Sequence, residues 1–325
     1  MVENVPNLSH LADAVTGNIP LKTGNVIEYR GVSKRYGDKL AVDALELSFS
    51  AGALTALLGE NGAGKTTSVS MALGLVRPTG GTVRIGGDIA GSPAARSRVG
   101  AMLQSAELPE QLTVAEHIRL FQTYYAAPMP FADVVEMMGL EDILNKRYGV
   151  LSGGQKRRTQ LALALCGNSE FIILDEPTVG LDIEARHAFW QVIRTLISAG
   201  RGVVLTTHYL EEADALADRI VVLAGGRIVA DGTPAEIKAL SGGKLIDMRT
   251  DAADSVLMAL PGAEKIIHVG ERIQLVTSDA EAALRQLFAQ GHSVVDLSVS
   301  KAGLETAFLS LTQQHKSSKK IGEAA

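Results

Sequence analysis

The stretch Gly59-Glu60-Asn61-Gly62-Ala63-Gly64-Lys65-Thr66-Thr67 constrains this chain more than any other. It fits the P-loop spacing G-x-x-x-x-G-K-[ST], in which a glycine-rich turn cradles phosphates. The apolar run 53–58 before it reads as a buried strand, and 65–75 after it as a helix. Glycines at 59, 62 and 64 permit positive φ and close backbone approach. The loop N–H groups and the helix N-terminus then face a polyphosphate. Lys65 is placed to reach the β- and γ-phosphates, and the Thr66 hydroxyl to ligate Mg²⁺. A glycine-rich turn with a chance lysine would not need a strand and a helix on its two sides.

Further elements follow from pattern. Segments 26–32, 41–49 and 83–85 read as strands, and 116–144 is helical in pattern, interrupted by Pro128 and Pro130. Residues 153–166 read as a helix with Ser152 as its N-cap. The apolar run 171–174 suits a buried parallel strand. After it, 184–199 reads as a helix, 202–207 as a buried strand and 209–217 as a helix. Buried strands alternating with helices predict an α/β core.

The composition shifts around Ser241-Gly242-Gly243-Lys244. Beyond it, strands at 245–249, 264–269, 272–277 and 293–299 and helices at 252–260 and 279–290 give the order β-α-β-β-α-β, that of a ferredoxin-like unit. Ala283, Leu284, Leu287 and Phe288 hold core-facing spacing on the second helix. A last helix at 302–311 would pack Leu304, Phe308 and Leu311 on one side. The expected organisation is a flexible leader at 1–24, a nucleotide-binding domain at 25–240, a small α+β domain at 245–312 and a basic flexible tail at 313–325.

Two further clusters carry chemistry. Asp175 ends an apolar strand, where a carboxylate is costly unless it faces a cation. Beside a P-loop that cation is Mg²⁺. Glu176 is then next to the γ-phosphate, where it can orient and polarise an attacking water. Leu151-Ser152-Gly153-Gly154-Gln155 is a serine and two glycines at a helix start, a second anion site. One P-loop with one nucleotide has no need of it.

Leu151–Gln155, lying between a P-loop and an acidic strand end, resembles the signature sequence of ATP-binding cassette (ABC) ATPases. In that family two cassettes pair head to tail, and each ATP lies between one P-loop and the other copy's signature helix. The resemblance implies an α/β P-loop fold of the ABC type, with a mixed core sheet, a helical subdomain at about 105–168 and an N-terminal antiparallel sheet. It implies ATP and Mg²⁺ held by residues 59–67, by Ser152, Gly153, Gly154 and Gln155 of the opposing copy, and by Asp175 and Thr66. Tyr36 resembles the aromatic that stacks on adenine. Gln104 resembles the glutamine that meets Mg²⁺ or the attacking water, and the loop after it resembles a surface that contacts a membrane partner. Gly180-Leu181-Asp182 resembles the segment that touches the opposing cassette. His208 resembles the histidine that contacts the γ-phosphate, which would make Glu176, His208 and Gln104 the catalytic set.

Leu112-Thr113-Val114-Ala115-Glu116-His117 and Leu304-Glu305-Thr306-Ala307-Phe308-Leu309 resemble ATPase subunits of ABC-2-type exporters, a group that includes drug and antibiotic resistance pumps. Such subunits pair with a separate permease. The expected protein is therefore an ATPase that forms a homodimer, couples to a transmembrane permease, and sits on the cytoplasmic face of the cell membrane. The alternative is a soluble ABC ATPase acting on ribosomes or DNA. Those forms usually carry two cassettes or a long coiled-coil insertion, and this chain shows one P-loop, one signature and no long heptad run.

Composition agrees where it bears on the question. The formal net charge of −5 does not favour nucleic acid as a main partner. No apolar run approaches the ~20 residues that span a bilayer. The N-terminus lacks the basic start and apolar core of a signal peptide. The one cysteine, Cys166, lies in an apolar run and reads as a small buried hydrophobe.

Overall fold

The computed structural model describes residues 26–104, 107–240, 243–301 and 303–323. The expected leader at 1–24 lies outside them, as do Ser241 and Gly242. The chain divides into two compact units, Met1–Ile228 and Val229–Ala325.

In the first unit, β1 (Val26–Tyr36) and β2 (Lys39–Ser50) form a hairpin, and β3 (Leu54–Gly59) leaves it for a second sheet. β4 (Gly80–Ile85) and β5 (Asp88–Ile89) return, so the antiparallel sheet has the order β2-β1-β4-β5. Along β2, Leu45, Leu47 and Phe49 are buried while Glu46, Ser48 and Ser50 are exposed, the period of a one-faced strand. That apolar face packs with Val69 and Met71 of the helix Lys65–Ala72 and with Leu57, Val204 and Val221 of the core sheet.

The core sheet holds β3, β6 (Val99–Met102), β7 (Phe171–Asp175), β8 (Gly202–Thr206), β9 (Arg219–Ala224) and β10 (Arg227–Gly232) in the order β10-β9-β3-β8-β7-β6. The five strands from β9 to β6 pair in parallel. β3, β7 and β8 are buried along their whole length, which explains their unbroken apolar runs. Between β6 and β7 the chain is helical, with Val114–Gln122, Phe131–Met138 and Gly153–Leu165. Pro130 is the N-cap of the second of these, so the expected interruption is a helix start. The third is seated tightly on β6. A Cβ on Gly100 would lie 1.8 Å from the Ala164 carbonyl oxygen, so only glycine fits. This is the expected α/β class, with a mixed core, a helical segment and an antiparallel sheet.

The second unit contains β11 (Lys244–Thr250), β12 (Ala263–Val269), β13 (Arg272–Thr277) and β14 (Val294–Lys301). Their order is β12-β13-β11-β14 and every pairing is antiparallel, the expected ferredoxin-like arrangement. Its core gathers Ile246, Met248, Leu257, Leu275, Ala283 and Leu287. Phe288 departs from expectation and is 52% exposed. Ala280, Ala283 and Leu287 define the buried stripe of the helix Ala280–Ala289, and Phe288 stands at the edge of that stripe at 100° per residue.

Two boundaries also differ. The last helix runs Leu304–Glu323, past residue 313 where a flexible tail was expected. Gln313, Gln314, Lys316, Lys319 and Lys320 are good helix formers, and no glycine or proline interrupts the stretch from Leu304 to Ile321. The division into units falls before the expected 240/245 boundary because the helix Pro234–Ala239 packs on Leu304–Glu323. β6, β9 and β10 were not anticipated as strands. Among the described residues no helix is long and apolar enough to cross a membrane.

Candidate nucleotide site

The site forms along the carboxyl ends of four neighbouring parallel strands. The P-loop follows β3, His208 follows β8, Asp175 ends β7 with Glu176 just after it, and Gln104 lies just beyond β6. Their order in sequence is 3, 6, 7, 8, but in the sheet it is 3, 8, 7, 6. Crevices outside such strand ends are where open α/β sheets bind ligands.

The P-loop backbone is held by steric limits. Gly62 and Gly64 have φ of 82° and 109°. A Cβ on Gly64 would meet the Ala41 carbonyl oxygen at 2.7 Å, and one on Gly59 would meet the Leu223 carbonyl oxygen at 2.6 Å. Gly64 is the N-cap of the helix Lys65–Ala72 and has no side chain to compete for its free N–H groups. Lys65 is buried, and its ammonium donates to the carbonyls of Gly59 at 2.6 Å and Glu60 at 3.3 Å. Burial lowers its pKa, and the carboxylates of Glu176 and Asp175 oppose that shift. Glu60, Asn61, Gly62 and Thr66 are exposed along the loop, and Thr67 is half-buried.

Asp175 is 2% exposed. Burial raises its pKa, and Glu176 adds to the rise. Hydrogen bonds from the Thr206 and Thr66 hydroxyls and the charge of Lys65 pull the other way. A carboxylate whose charge is made costly by burial is relieved by a facing cation, and with the Thr66 hydroxyl bonded to it Asp175 offers a hard-oxygen pair that suits Mg²⁺. The neighbouring Glu176 adopts φ 50°, left-handed backbone in a non-glycine residue. Its N–H donates to the Thr206 carbonyl at 3.0 Å and hydroxyl at 3.1 Å, which fixes the turn. The turn aims the carboxylate at the cleft, where Glu176 Oε2 accepts from Gln104 Nε2 at 2.9 Å and lies 3.5 Å from His208 Nδ1. Three residues separated widely in sequence thus meet on one oxygen. Strain of this kind clusters at functional sites.

The other candidates stand apart from this cluster. Ser152 caps the helix Gly153–Leu165 through a reciprocal box, with Gln155 N–H donating to Ser152 Oγ at 3.3 Å and Ser152 N–H to Gln155 Oε1 at 3.0 Å. A Cβ on Gly153 would touch nothing within 4 Å, so this helix start opens to solvent. Gly154 lies near Leu181 of the loop before Asp182. Asp182 caps the helix Ile183–Ser198 by accepting from Ala185 N–H at 2.8 Å. Tyr36 is 47% exposed at the β1–β2 hairpin, with the Lys34 ammonium 5.0 Å from its ring centre. Thr206, which serves both Asp175 and Glu176, was missed. Its signal was a polar residue ending an apolar strand just before a candidate histidine. Cys166 behaves as expected, fully buried with its thiol pushed up to about 12 by burial.

Comparisons with known proteins bear on the fold and the family. The family model described as ABC transporter matches residues 42–179. The Nod factor export ATP-binding protein I of Burkholderia lata is 38% identical over 295 residues, covering 88% of this chain and 96% of that protein. A solved ATP-binding subunit of an ABC transporter superposes with TM-score 0.61 at 29% identity, over 66% of this chain and 92% of that one. A dimeric ATP-binding cassette in a post-hydrolysis state bound to ADP and Pi gives TM-score 0.59 at 26% identity, over 64% and 98%.

Proposed function

The chain belongs to the ABC transporter family and hydrolyses ATP as the energy-coupling subunit of an exporter, and we propose that it does so as a head-to-tail pair of copies driving a separate membrane permease. The observation that carries the assignment of roles is the meeting of Gln104 and His208 on Glu176 Oε2, beside the P-loop lysine.

In this reading residues 59–67 wrap the phosphates, and Lys65 turns from its loop carbonyls to the β- and γ-phosphates. Tyr36 stacks on the adenine. Asp175 and Thr66, with Gln104, would hold Mg²⁺, which would neutralise phosphate charge and polarise the γ-phosphate. Glu176 orients a water in line with the γ-phosphorus and accepts its developing proton. The bond from the γ-phosphorus to the β–γ bridging oxygen breaks, giving ADP and phosphate. His208 donates to the γ-phosphate oxygens, and Gln104 keeps the Glu176 carboxylate aimed. Catalysis is positioning plus electrostatics.

The second copy supplies what one chain holds elsewhere. The exposed start of the helix Gly153–Leu165, with Ser152 to Gln155, presents free N–H groups that suit the other copy's γ-phosphate. Asp182 lies in the loop that meets that copy. The pair docks on its permease at the cytoplasmic membrane face through the surface beyond Gln104. The similarity to Nod factor export proteins supports export and does not favour a drug or an antibiotic as cargo.

A mixing experiment tests the shared site. Lys65→Ala disables the P-loop, whereas Gly153→Glu adds a charge in open space where the partner's ATP would lie. Each variant alone pairs into dimers with no intact site. A mixed dimer regains one complete site, so phosphate release returns on mixing. Failure to recover after subunit exchange refutes the head-to-tail arrangement.

A further inference from the structure

Among the described residues two carboxylates are buried, Asp175 and Glu212. The first has a part in the chemistry above, and the second is fully enclosed with none assigned. Glu212 lies on the helix Leu210–Leu216, one turn beyond His208. Its Oε1 accepts from the Thr178 hydroxyl, and its Oε2 accepts from the Thr207 hydroxyl at 2.7 Å. Thr207 Oγ1 in turn accepts from Tyr209 N–H at 2.9 Å. Both residues flanking His208 are thereby fixed. Arg186 Nε stands 3.9 Å from Glu212 Oε1, and its guanidinium carbon lies 4.8 Å from the centre of the Tyr209 ring. The Tyr209 ring is 4.2 Å from that of His208. Thr178 belongs to the loop between Glu176 and Asp182, and its carbonyl accepts from Leu181 N–H.

Burying a carboxylate is costly, and an apolar side chain of similar volume would usually stabilise a core at least as well. A carboxylate has one merit here. It accepts from two hydroxyls on two separate segments at once, and so fixes the distance between them. The segments joined are the loop leading to Asp182 and the turn carrying His208.

We propose that Glu212 is a positioning residue for hydrolysis, tying the Thr178 loop to the His208 turn so that His208 stays on Glu176 only while that loop is in place. This rests on the roles given above to Glu176 and His208. The link makes the loop that faces the second copy and the histidine that faces the γ-phosphate move as one body. Hydrolysis is then sensitive to how that loop is seated, while the P-loop holds ATP regardless.

The test is steady-state phosphate release over a range of ATP concentrations, with thermal melting of each protein alongside. Glu212→Gln, Thr178→Val and Thr207→Val should each lower kcat about 10-fold with KM for ATP within about twofold, the pattern of an interaction that matters only in the transition state. Thr178→Ser, which keeps the hydroxyl, should restore kcat. Thr178→Val combined with Glu212→Gln should be no slower than Glu212→Gln alone, since both cut the same link. Should Glu212→Gln fail to fold, the near-isosteric threonine variants carry the test. Unchanged kcat in well-folded Glu212→Gln and Thr178→Val proteins overturns the proposal. So do fully additive losses, or losses confined to KM. Glu176→Gln is measured in parallel. If that variant still turns over, the reading of the site falls and this inference with it. If it is dead while Glu212→Gln is fully active, only the present inference falls.

Discussion

Replacing Glu176 by Gln separates binding from chemistry at one atom. Glu176 Oε2 accepts from Gln104 Nε2 at 2.9 Å and lies 3.5 Å from His208 Nδ1. A carboxamide keeps one acceptor oxygen for Gln104 and leaves the left-handed backbone at φ 50° as it is, because both side chains carry the same Cβ. What disappears is the negative charge and the proton acceptor. A positioned base contributes about 10²–10⁴-fold in rate, so kcat should fall by that factor. That is about 3–5 kcal/mol on the barrier. Losing the charge also removes a repulsion on Asp175, so the P-loop should still bind Mg·ATP. Bound ligand at 100 times its dissociation constant adds about 2.7 kcal/mol of stability. For a domain of this size that raises the melting temperature by about 5–10 °C. The expected result is negligible phosphate release, an ATP-dependent rise in melting temperature at least as large as wild type, and an accumulating ATP-bound dimer in light scattering. A kcat within about tenfold of wild type, in a protein that binds ATP normally, would show that Glu176 is not the base.

Two further outcomes follow from the same site. Burial raises the folded-state pKa of Asp175 above its ordinary value, so the native state holds this proton more tightly than the unfolded chain. Its contribution to stability is full below the ordinary carboxylate range and is lost as pH rises through the raised folded value. Without nucleotide or divalent cation, Asp175→Asn should therefore melt higher than wild type at pH near 8, with the gap closing at pH near 4. It should also lose Mg²⁺-dependent tightening of ATP binding by calorimetry, and a lower melting temperature at high pH would contradict the burial argument. Gly64→Ala puts a Cβ at φ 109° and 2.7 Å from the Ala41 carbonyl oxygen. The backbone term alone costs about 1–2 kcal/mol, so both melting temperature and ATP affinity should drop, and normal ATP affinity would show that the loop relaxes freely.

Contiguous motifs were legible and convergence was not. The P-loop, the Ser152 capping box and the Asp175-Glu176 pair each occupy one short stretch whose local structure follows from residue type: glycines where a Cβ would collide, a serine and glutamine satisfying two helix N–H groups, a carboxylate ending an apolar strand. The ferredoxin-like unit was readable because its strands and helices alternate with clear apolar periods. β6 is only four residues long, Val99–Met102, with Gly100 and Ala101 inside it, and so shows no period, whereas the buried apolar run 220–224 of β9 is as legible as 171–174. Thr206 and Glu212 were invisible for a different reason. Their roles lie in hydroxyl–carboxylate bonds between residues distant in sequence, such as the 34 positions from Thr178 to Glu212. Phe288 misled because it shares a helix with true core residues and differs only in angle.

The order of strands decides which of these residues can act together. Neighbouring strands lie about 4.8 Å apart, so groups at the ends of adjacent strands come within hydrogen-bond reach, and groups two strands apart need long side chains. With β7 between β8 and β6, Glu176 has His208 on one side and Gln104 on the other, and both reach it directly. With β8 between β3 and β7, the gap from the P-loop to Asp175 is spanned by Lys65 and Thr66 from one side and closed by Thr206 at the end of β8. A sheet in the order of the sequence would put β6 beside β3 and send Gln104 toward the lysine, with His208 at the far edge. β7 has β6 and β8 as neighbours in either order, so what the non-sequential order decides is that β8, with Thr206 and His208, stands between the P-loop and Glu176 instead of β6 with Gln104, and the strained non-glycine turn at Glu176 lies between those two strand ends.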